Sequence, residues 1–315
     1  MSSTITFIIG CTGCGKGALG RELARRSGAE IISLDSMKIY RRMDIGTAKP
    51  SADMQNEVPH HVIDVVEPSE EFSVARYVEL AGAAIADVQR RGKTVFVVGG
   101  TPLYLKALTE GLFDGPGADP AIRERLRAEA KAEGPDHLHQ RLQSVDPQAA
   151  NRIHPNDLRR IIRALEVFEL TGTPITELQA QWDRGHSRYD YILIGLRREL
   201  EDQNRRTNAR VKRIIDAGLA EEVRSLLAEH DPLSNAARRA LGYAEMVRHL
   251  EGELSLADAV EWIKINTRQF AKAQRTWFKR FLETEWIDLT EDAAVSAVAD
   301  ELFSRHELIW KPLPN

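Results

Sequence analysis

Short runs in which almost every position is apolar alternate with longer stretches whose apolar positions recur at helical spacing. Residues 5–9, 30–34 and 94–98 are of the first kind. Near-continuous apolar runs of that length predict strands buried on both faces of a parallel sheet. Residues 18–27 and 73–91 are of the second kind. In the latter Val74, Tyr77, Ala81, Ala84, Ile85 and Val88 line one side, Ser73 offers an N-cap oxygen and Gly92 ends the pattern. Gly99-Gly100-Thr101 closes the third run, and Pro102 suits the first turn of a helix continuing over 103–110. Strand–helix alternation of this type predicts an α/β fold around a parallel sheet.

After Gly115-Pro116-Gly117 the pattern changes. Residues 119–133, 136–144, 155–171 and 173–182 read helical with no strand among them, and 191–196 then reads as a fourth buried strand. An all-helical subdomain over 115–189 is therefore expected inside an α/β core formed by 1–114 and 190–315. Helices over 199–217, 219–229, 256–282 and 292–304 and a last strand over 286–289 complete the expected core.

Between the first strand and its helix lies Gly10-Cys11-Thr12-Gly13-Cys14-Gly15-Lys16-Gly17. A Gly-x-x-x-x-Gly-Lys stretch in strand–turn–helix context is an anion trap. Inward-pointing backbone N–H groups, a helix dipole and a lysine ammonium converge on one point, while glycines let the backbone approach or take positive φ. The usual Ser or Thr after the lysine, whose hydroxyl binds Mg²⁺, is replaced by Gly17. Asp35 and Ser36 leave the carboxyl end of the second strand, and Thr101 leaves that of the third. In a parallel sheet these ends share one crevice with the loop. Asp35 there suits a general base or a partner of metal-bound water; an Asx-turn or N-cap role is the plainer reading. Cys11 and Cys14 form a Cys-x-x-Cys that fits redox chemistry, half a zinc site or simply small loop residues. His60 and His61 precede Asp64, yet adjacent residues of an extended segment point to opposite faces and seldom share an ion.

The chain has 315 residues, 43% hydrophobic and 29% charged, with a net charge of −4. That bulk charge argues against nucleic acid, so only local clustering supports it. Arg197, Arg198, Arg205, Arg206, Arg210, Lys212 and Arg213 are expected on one helix. Lys264, Arg268, Lys272, Arg275, Lys279 and Arg280 are expected on another, and Arg159, Arg160 and Arg163 form a third group. Each alone reads as a solvated face; three in an acidic chain suggest a polyanion track. Phe270, Trp277 and Phe278 interleave the second group, where core packing is the expected use. Without an apolar run of membrane-spanning length or a signal-peptide pattern, a cytoplasmic protein with no membrane partner is expected.

Together the motifs closely resemble the bacterial tRNA dimethylallyltransferase (tRNA isopentenyltransferase) family. The resemblance is carried by the run from Asp35-Ser36-Met37-Lys38 to Gly46-Thr47-Ala48-Lys49-Pro50, by His60-His61-Val62-Ile63-Asp64, and by Phe72-Ser73-Val74-Ala75. It continues in Val98-Gly99-Gly100-Thr101, Ile153-His154-Pro155-Asn156-Asp157, Arg163-Ala164-Leu165-Glu166-Val167, Leu241-Gly242-Tyr243 and Thr267-Arg268-Gln269-Phe270-Ala271-Lys272. It implies a P-loop NTPase-like core and transfer of a dimethylallyl group from dimethylallyl diphosphate to N6 of the adenosine 3′ to the anticodon, position 37, in tRNAs reading codons that start with U. It further implies diphosphate held by Gly10, Cys11, Thr12, Gly13, Cys14, Gly15, Lys16 and Gly17, with Asp35, Thr101 and Lys16 catalytic. Contacts to the tRNA anticodon stem-loop are implied for Asp35, Ser36, Met37, Lys38, Thr101, Arg123, Arg159, Arg160 and Arg163. Mg²⁺ is the implied cofactor, reaching the site through the diphosphate because no protein ligand is assigned, and a monomer is expected. Lys38 stands where the family has Gln, Pro102 where it has Gly, and Ala273 where it has Arg. The alternatives are a P-loop small-molecule kinase, which Gly17 and the basic helical insertion disfavour, and an isopentenyltransferase of free adenine nucleotides, which has no need of that insertion.

Overall fold

A computed structural model describes residues 4–112, 115–180, 187–291 and 293–310. Its sheet is parallel throughout, in the order β3-β2-β4-β1-β5-β6. The strands are β1 (Ile5–Gly10), β2 (Glu30–Leu34), β3 (His60–His61), β4 (Val95–Gly99), β5 (Tyr191–Arg198) and β6 (Glu285–Leu289). Alternation along β1 feeds two cores. Ile5, Phe7 and Ile9 pack with Tyr77, Ile85, Leu105 and Leu108 from α3 (Val74–Arg90) and α4 (Pro102–Glu110). Ile8 packs on the other face with Leu19 and Leu23 of α1 (Lys16–Ser27) and Trp310 of the terminal helix. Burial on both faces is why these strands are apolar runs rather than alternating ones.

Contacts divide the chain into two units, Met1–Thr109 with Arg188–Asn315, and Glu110–Ser187. The second unit is helical: α5 (Pro120–Glu133), α6 (Pro135–Val145), α7 (Pro147–Arg152), α8 (Leu158–Thr171) and α9 (Ile175–Gln179), around Leu126, Leu138, Leu142, Ile161 and Leu165. Asp119, Asp146 and Asp157 cap α5, α7 and α8 through their side chains. Asp157 is the reason that the helix expected from residue 155 starts at Leu158. Helix α7 was not expected; six residues give too little periodicity to register. Residues 181–182 of the helix expected over 173–182 lie outside the described residues, as does Asp292.

Before the helical unit the first unit has a short α2 (Ala52–Glu57). Beyond β5 it continues through α10 (Leu200–Asp216), α11 (Leu219–Leu227), α12 (Asn235–Arg238), α13 (Tyr243–Leu250), α14 (Leu256–Phe278) and α15 (Val295–Trp310). Helix α14 stops short of residue 282, and α15 runs past residue 304 because Trp310 is buried, its Nε1 donating to Thr6 Oγ1 at 2.8 Å. Arg197 and Arg198 belong to β5, not to the helix on which they were expected. Among the described residues no helix is long and apolar enough to cross a membrane.

Candidate active site

Gly10, Gly13 and Gly15 all take positive φ, the conformation for which a loop that turns its N–H groups inward needs glycine. Gly10 is also sterically fixed: a Cβ there would lie 2.7 Å from both the Leu196 carbonyl oxygen and Cys14 Sγ. Lys16 opens α1, and its Nζ donates to the Cys11 carbonyl at 3.2 Å. The loop is clasped from elements distant in sequence. Gln274 on α14 accepts from Thr12 N–H at 2.8 Å and donates to the Gly100 carbonyl at 2.5 Å. Gln203 on α10 donates to the Thr12 carbonyl at 3.0 Å and accepts from Arg275 at 2.7 Å. Arg198, with a buried side chain, donates to the Cys14 carbonyl at 3.0 Å and pairs with Asp202 at 2.9 Å. Sequence reasoning gave Gln203, Gln274 and Arg198 no role in the loop.

Asp35 follows β2 directly. The Leu34 carbonyl accepts from the N–H of Gly100 at 3.1 Å and of Thr101 at 3.2 Å, which draws the end of β4 against Asp35. Gly99 permits this, since a Cβ there would meet the Leu34 oxygen at 2.0 Å. Asp35 Oδ1 accepts from Met37 N–H at 2.9 Å and Lys38 N–H at 3.3 Å, an Asx-turn. The plainer reading of Asp35 is thus realised through Oδ1 alone, and no hydrogen bond occupies Oδ2 among the described residues. The Thr101 hydroxyl likewise makes none. Tyr77 and Tyr104 stack at 3.9 Å; burial first, then a neighbouring tyrosine (Tyr104 for Tyr77, Tyr40 for Tyr104), then the Asp35 charge push both phenols upward.

Charge in the crevice is mostly positive. Burial pulls the Lys38 ammonium down to about 8; Asp35 opposes this, while Arg210, Lys16 and Arg21 add to the fall. Burial lowers Arg210 as well, with Asp35 again opposing. Arg210, assigned above only to a basic cluster, therefore belongs to the site; its Nη2 donates to the Thr47 carbonyl at 3.1 Å. Burial, then the neighbouring Cys14, raises the Cys11 thiol, so it stays protonated. Both cysteines are free and buried. His60 donates to or accepts from no second histidine: its Nδ1 contacts the Val58 carbonyl at 2.6 Å, and burial lowers it to about 4. His61 Nε2 meets Glu30 Oε2 at 2.7 Å at the opposite end of β2. Among the described residues no cluster of His, Cys, Asp and Glu could hold a metal ion. Position 17 offers no hydroxyl, so the magnesium-binding place of a phosphate loop is not reproduced.

In the helical unit Arg123 and Arg163 converge on Glu166, whose side chain is fully buried. Arg123 Nε and Arg163 Nη1 lie 2.8 and 2.7 Å from its oxygens, and Asp119 N–H donates at 2.7 Å. Burial pushes this carboxyl up, but the two guanidiniums and the N–H outweigh it and hold it below its ordinary range. Arg159 and Arg160 are exposed on the same helix. On α14 Phe278 is buried as expected, whereas Phe270 is 46% exposed. Arg280 lies 5.1 Å over the Trp277 ring.

Comparison with known proteins points one way. The family described as IPP transferase matches residues 38–281, and that described as isopentenyl transferase matches residues 3–62. A tRNA dimethylallyltransferase of Geobacter metallireducens is 49% identical over 90% of this chain and 92% of its own length. The solved tRNA isopentenylpyrophosphate transferase of Bacillus halodurans is 37% identical, with a TM-score of 0.71 over 98% of this chain and 97% of its own. A eukaryotic dimethylallyltransferase acting on tRNA is 27% identical, with a TM-score of 0.83 over 100% of this chain and 81% of its own.

Proposed function

The chain belongs to the tRNA dimethylallyltransferase family, and on that premise we propose that it transfers the dimethylallyl group of dimethylallyl diphosphate to N6 of adenosine 37 in tRNAs reading codons that start with U. In the reaction a bond forms between N6 and C1 of the dimethylallyl group. The C1–O bond breaks, its electron pair leaves with diphosphate, and the N6 proton passes to a base. Asp35, through its uncommitted Oδ2, is the proposed base. The loop N–H groups, Lys16 and Arg210 would stabilise the charge developing on the departing diphosphate. Thr101 would hydrogen-bond the base or its adjoining phosphate, and the crevice requires the adenosine to leave its stack. Lys38, Met37 and Ser36 would line the base pocket. In the helical unit Arg159 and Arg160 have the exposure that phosphate contact requires, while Arg123 and Arg163 present only what Glu166 leaves free.

The observation that carries this reading is the pair of hydrogen bonds from Gly100 and Thr101 to Leu34, which draws Thr101 against Asp35 at the strand ends that the phosphate loop shares. The test is single-turnover transfer of labelled dimethylallyl diphosphate to an anticodon stem-loop carrying adenosines 36 and 37, run beside AMP. Label on the stem-loop alone is expected. Label on AMP would move the protein to the free-nucleotide transferases, and phosphate release from ATP without transfer would make it a kinase.

A further inference from the structure

A phosphate loop that uses magnesium places a hydroxyl after its lysine. Here that place is Gly17, and a cation lies next to it: a Cβ built on Gly17 would lie 3.8 Å from Arg21 Nη1. One turn of helix carries Arg21 back over the position. Neither Arg21 nor the Lys38 ammonium makes a hydrogen bond or ion pair among the described residues, although both are half-buried. Holding unpaired cations out of water is costly unless an anion completes them.

We propose that this enzyme holds its diphosphate without magnesium, Lys38 and Arg21 supplying beside Lys16 the charge that the ion would bring. The inference rests on the reading of the loop as a diphosphate site. The charges that act most on Lys38 are those of Asp35, Arg210, Lys16 and Arg21; Glu57 acts on Arg21, and His60 is neutral at pH 7. Lys16, Arg21 and Lys38 together bring three positive charges. Lysine and a magnesium ion in an ordinary phosphate loop also make +3, and a diphosphate ester carries about three negative charges near neutral pH. A dication added here meets repulsion from these fixed charges. It also finds Asp35 Oδ1 already committed to two N–H groups. Lys38 is the residue that sets this protein apart, since the family resemblance places a neutral Gln there.

Calorimetric titration of the full-length protein with inorganic pyrophosphate, in EDTA and in millimolar Mg²⁺, tests it. Wild type should bind in both, with dissociation constants within about threefold. Lys38→Gln should weaken binding in EDTA by about tenfold or more, as loss of a charge-assisted contact does, and Lys38→Arg should restore most of it. Gly17→Ser/Lys38→Gln, in which the new Cβ meets only ordinary contacts, should bind only with Mg²⁺. Melting temperatures within a few degrees of wild type would exclude misfolding as the cause. Pyrophosphate binding by wild type that requires Mg²⁺, or Lys38→Gln that binds unchanged in EDTA, would overturn the inference and leave the transferase reading intact. Absence of pyrophosphate binding under both conditions would overturn both.

Discussion

Gln274 accepts a hydrogen bond from the backbone N–H of Thr12 across 262 positions of sequence, and its amide nitrogen donates to Gly100. One buried side chain thus ties the phosphate loop to the end of β4. Gln274→Leu keeps the volume but leaves a buried N–H and a buried carbonyl unpaired, at about 1–3 kcal/mol each. A lower melting temperature and about tenfold weaker pyrophosphate binding are expected, read by thermal denaturation and calorimetry. Unchanged pyrophosphate affinity would show that the clasp does not set the loop.

Asp35→Asn preserves shape and the Asx-turn, because the amide oxygen accepts from Met37 and Lys38 as the carboxylate does. It removes the base. Single-turnover transfer should fall by about 10²–10⁴-fold while pyrophosphate binding survives. Equal loss of binding and transfer would mean that Asp35 orders the loop rather than accepting the proton.

Glu166 gives the helical unit a pH dependence of definite sign. Its folded carboxyl is held below the ordinary range despite burial, so its contribution is complete above the unfolded glutamate value of about 4.3. It is lost as pH falls through the folded value. Glu166→Gln leaves two guanidiniums facing a neutral amide and should cost about 3 kcal/mol at pH 7. Hydrogen exchange in α5 and α8 should show the gap between variant and wild type narrowing below about pH 4.

Arg159 and Arg160 stand exposed, Arg160 only loosely paired with Asp157 at 3.3 Å. Replacing both by Gln should weaken anticodon stem-loop binding and flatten its salt dependence by about one unit of log–log slope per lost phosphate contact. Filter binding between 50 and 200 mM salt reads it. A parallel shift with unchanged slope would assign the loss to folding instead.

Thr207 carries a buried hydroxyl with no hydrogen-bond partner among the described residues, beside Gly13 of the loop. An unpaired buried donor is a cost, and an isosteric methyl removes it. Thr207→Val should match or exceed wild-type stability by up to about 1 kcal/mol in urea unfolding. A clear destabilisation would place a bound water on that hydroxyl.

The sheet was legible because strands buried on both faces leave uninterrupted apolar runs, as at residues 30–34 and 94–98. The loop was legible because anion capture demands glycine and lysine at fixed offsets. Arg210 was visible only as one arginine among many, since its membership of the crevice depends on how α10 is turned. The clasping roles of Gln203 and Gln274 were invisible for the same reason: a hydrogen bond between distant elements imposes no period on either. Arg123 shows the converse. The resemblance implied contact with tRNA, and the fold engages its guanidinium with Glu166 first, a partner 43 positions away. Phe270 faces outward because the buried stripe of α14 runs through Ile263, Thr267, Ala271, Gln274 and Phe278 and leaves position 270 beside it.

Strand β1 lies between β4 and β5, and β5 begins at Tyr191, after all of Glu110–Ser187. Translation delivers residues in order, and units fold as they emerge. Every residue of the helical unit is therefore made before β1, the first strand made, can gain its second neighbour. Thr12 must wait longer, until residue 274 has left the exit tunnel. The oldest residues of the nascent chain are among the last to reach their working form, and a chain released before residue 274 carries an unclosed catalytic loop.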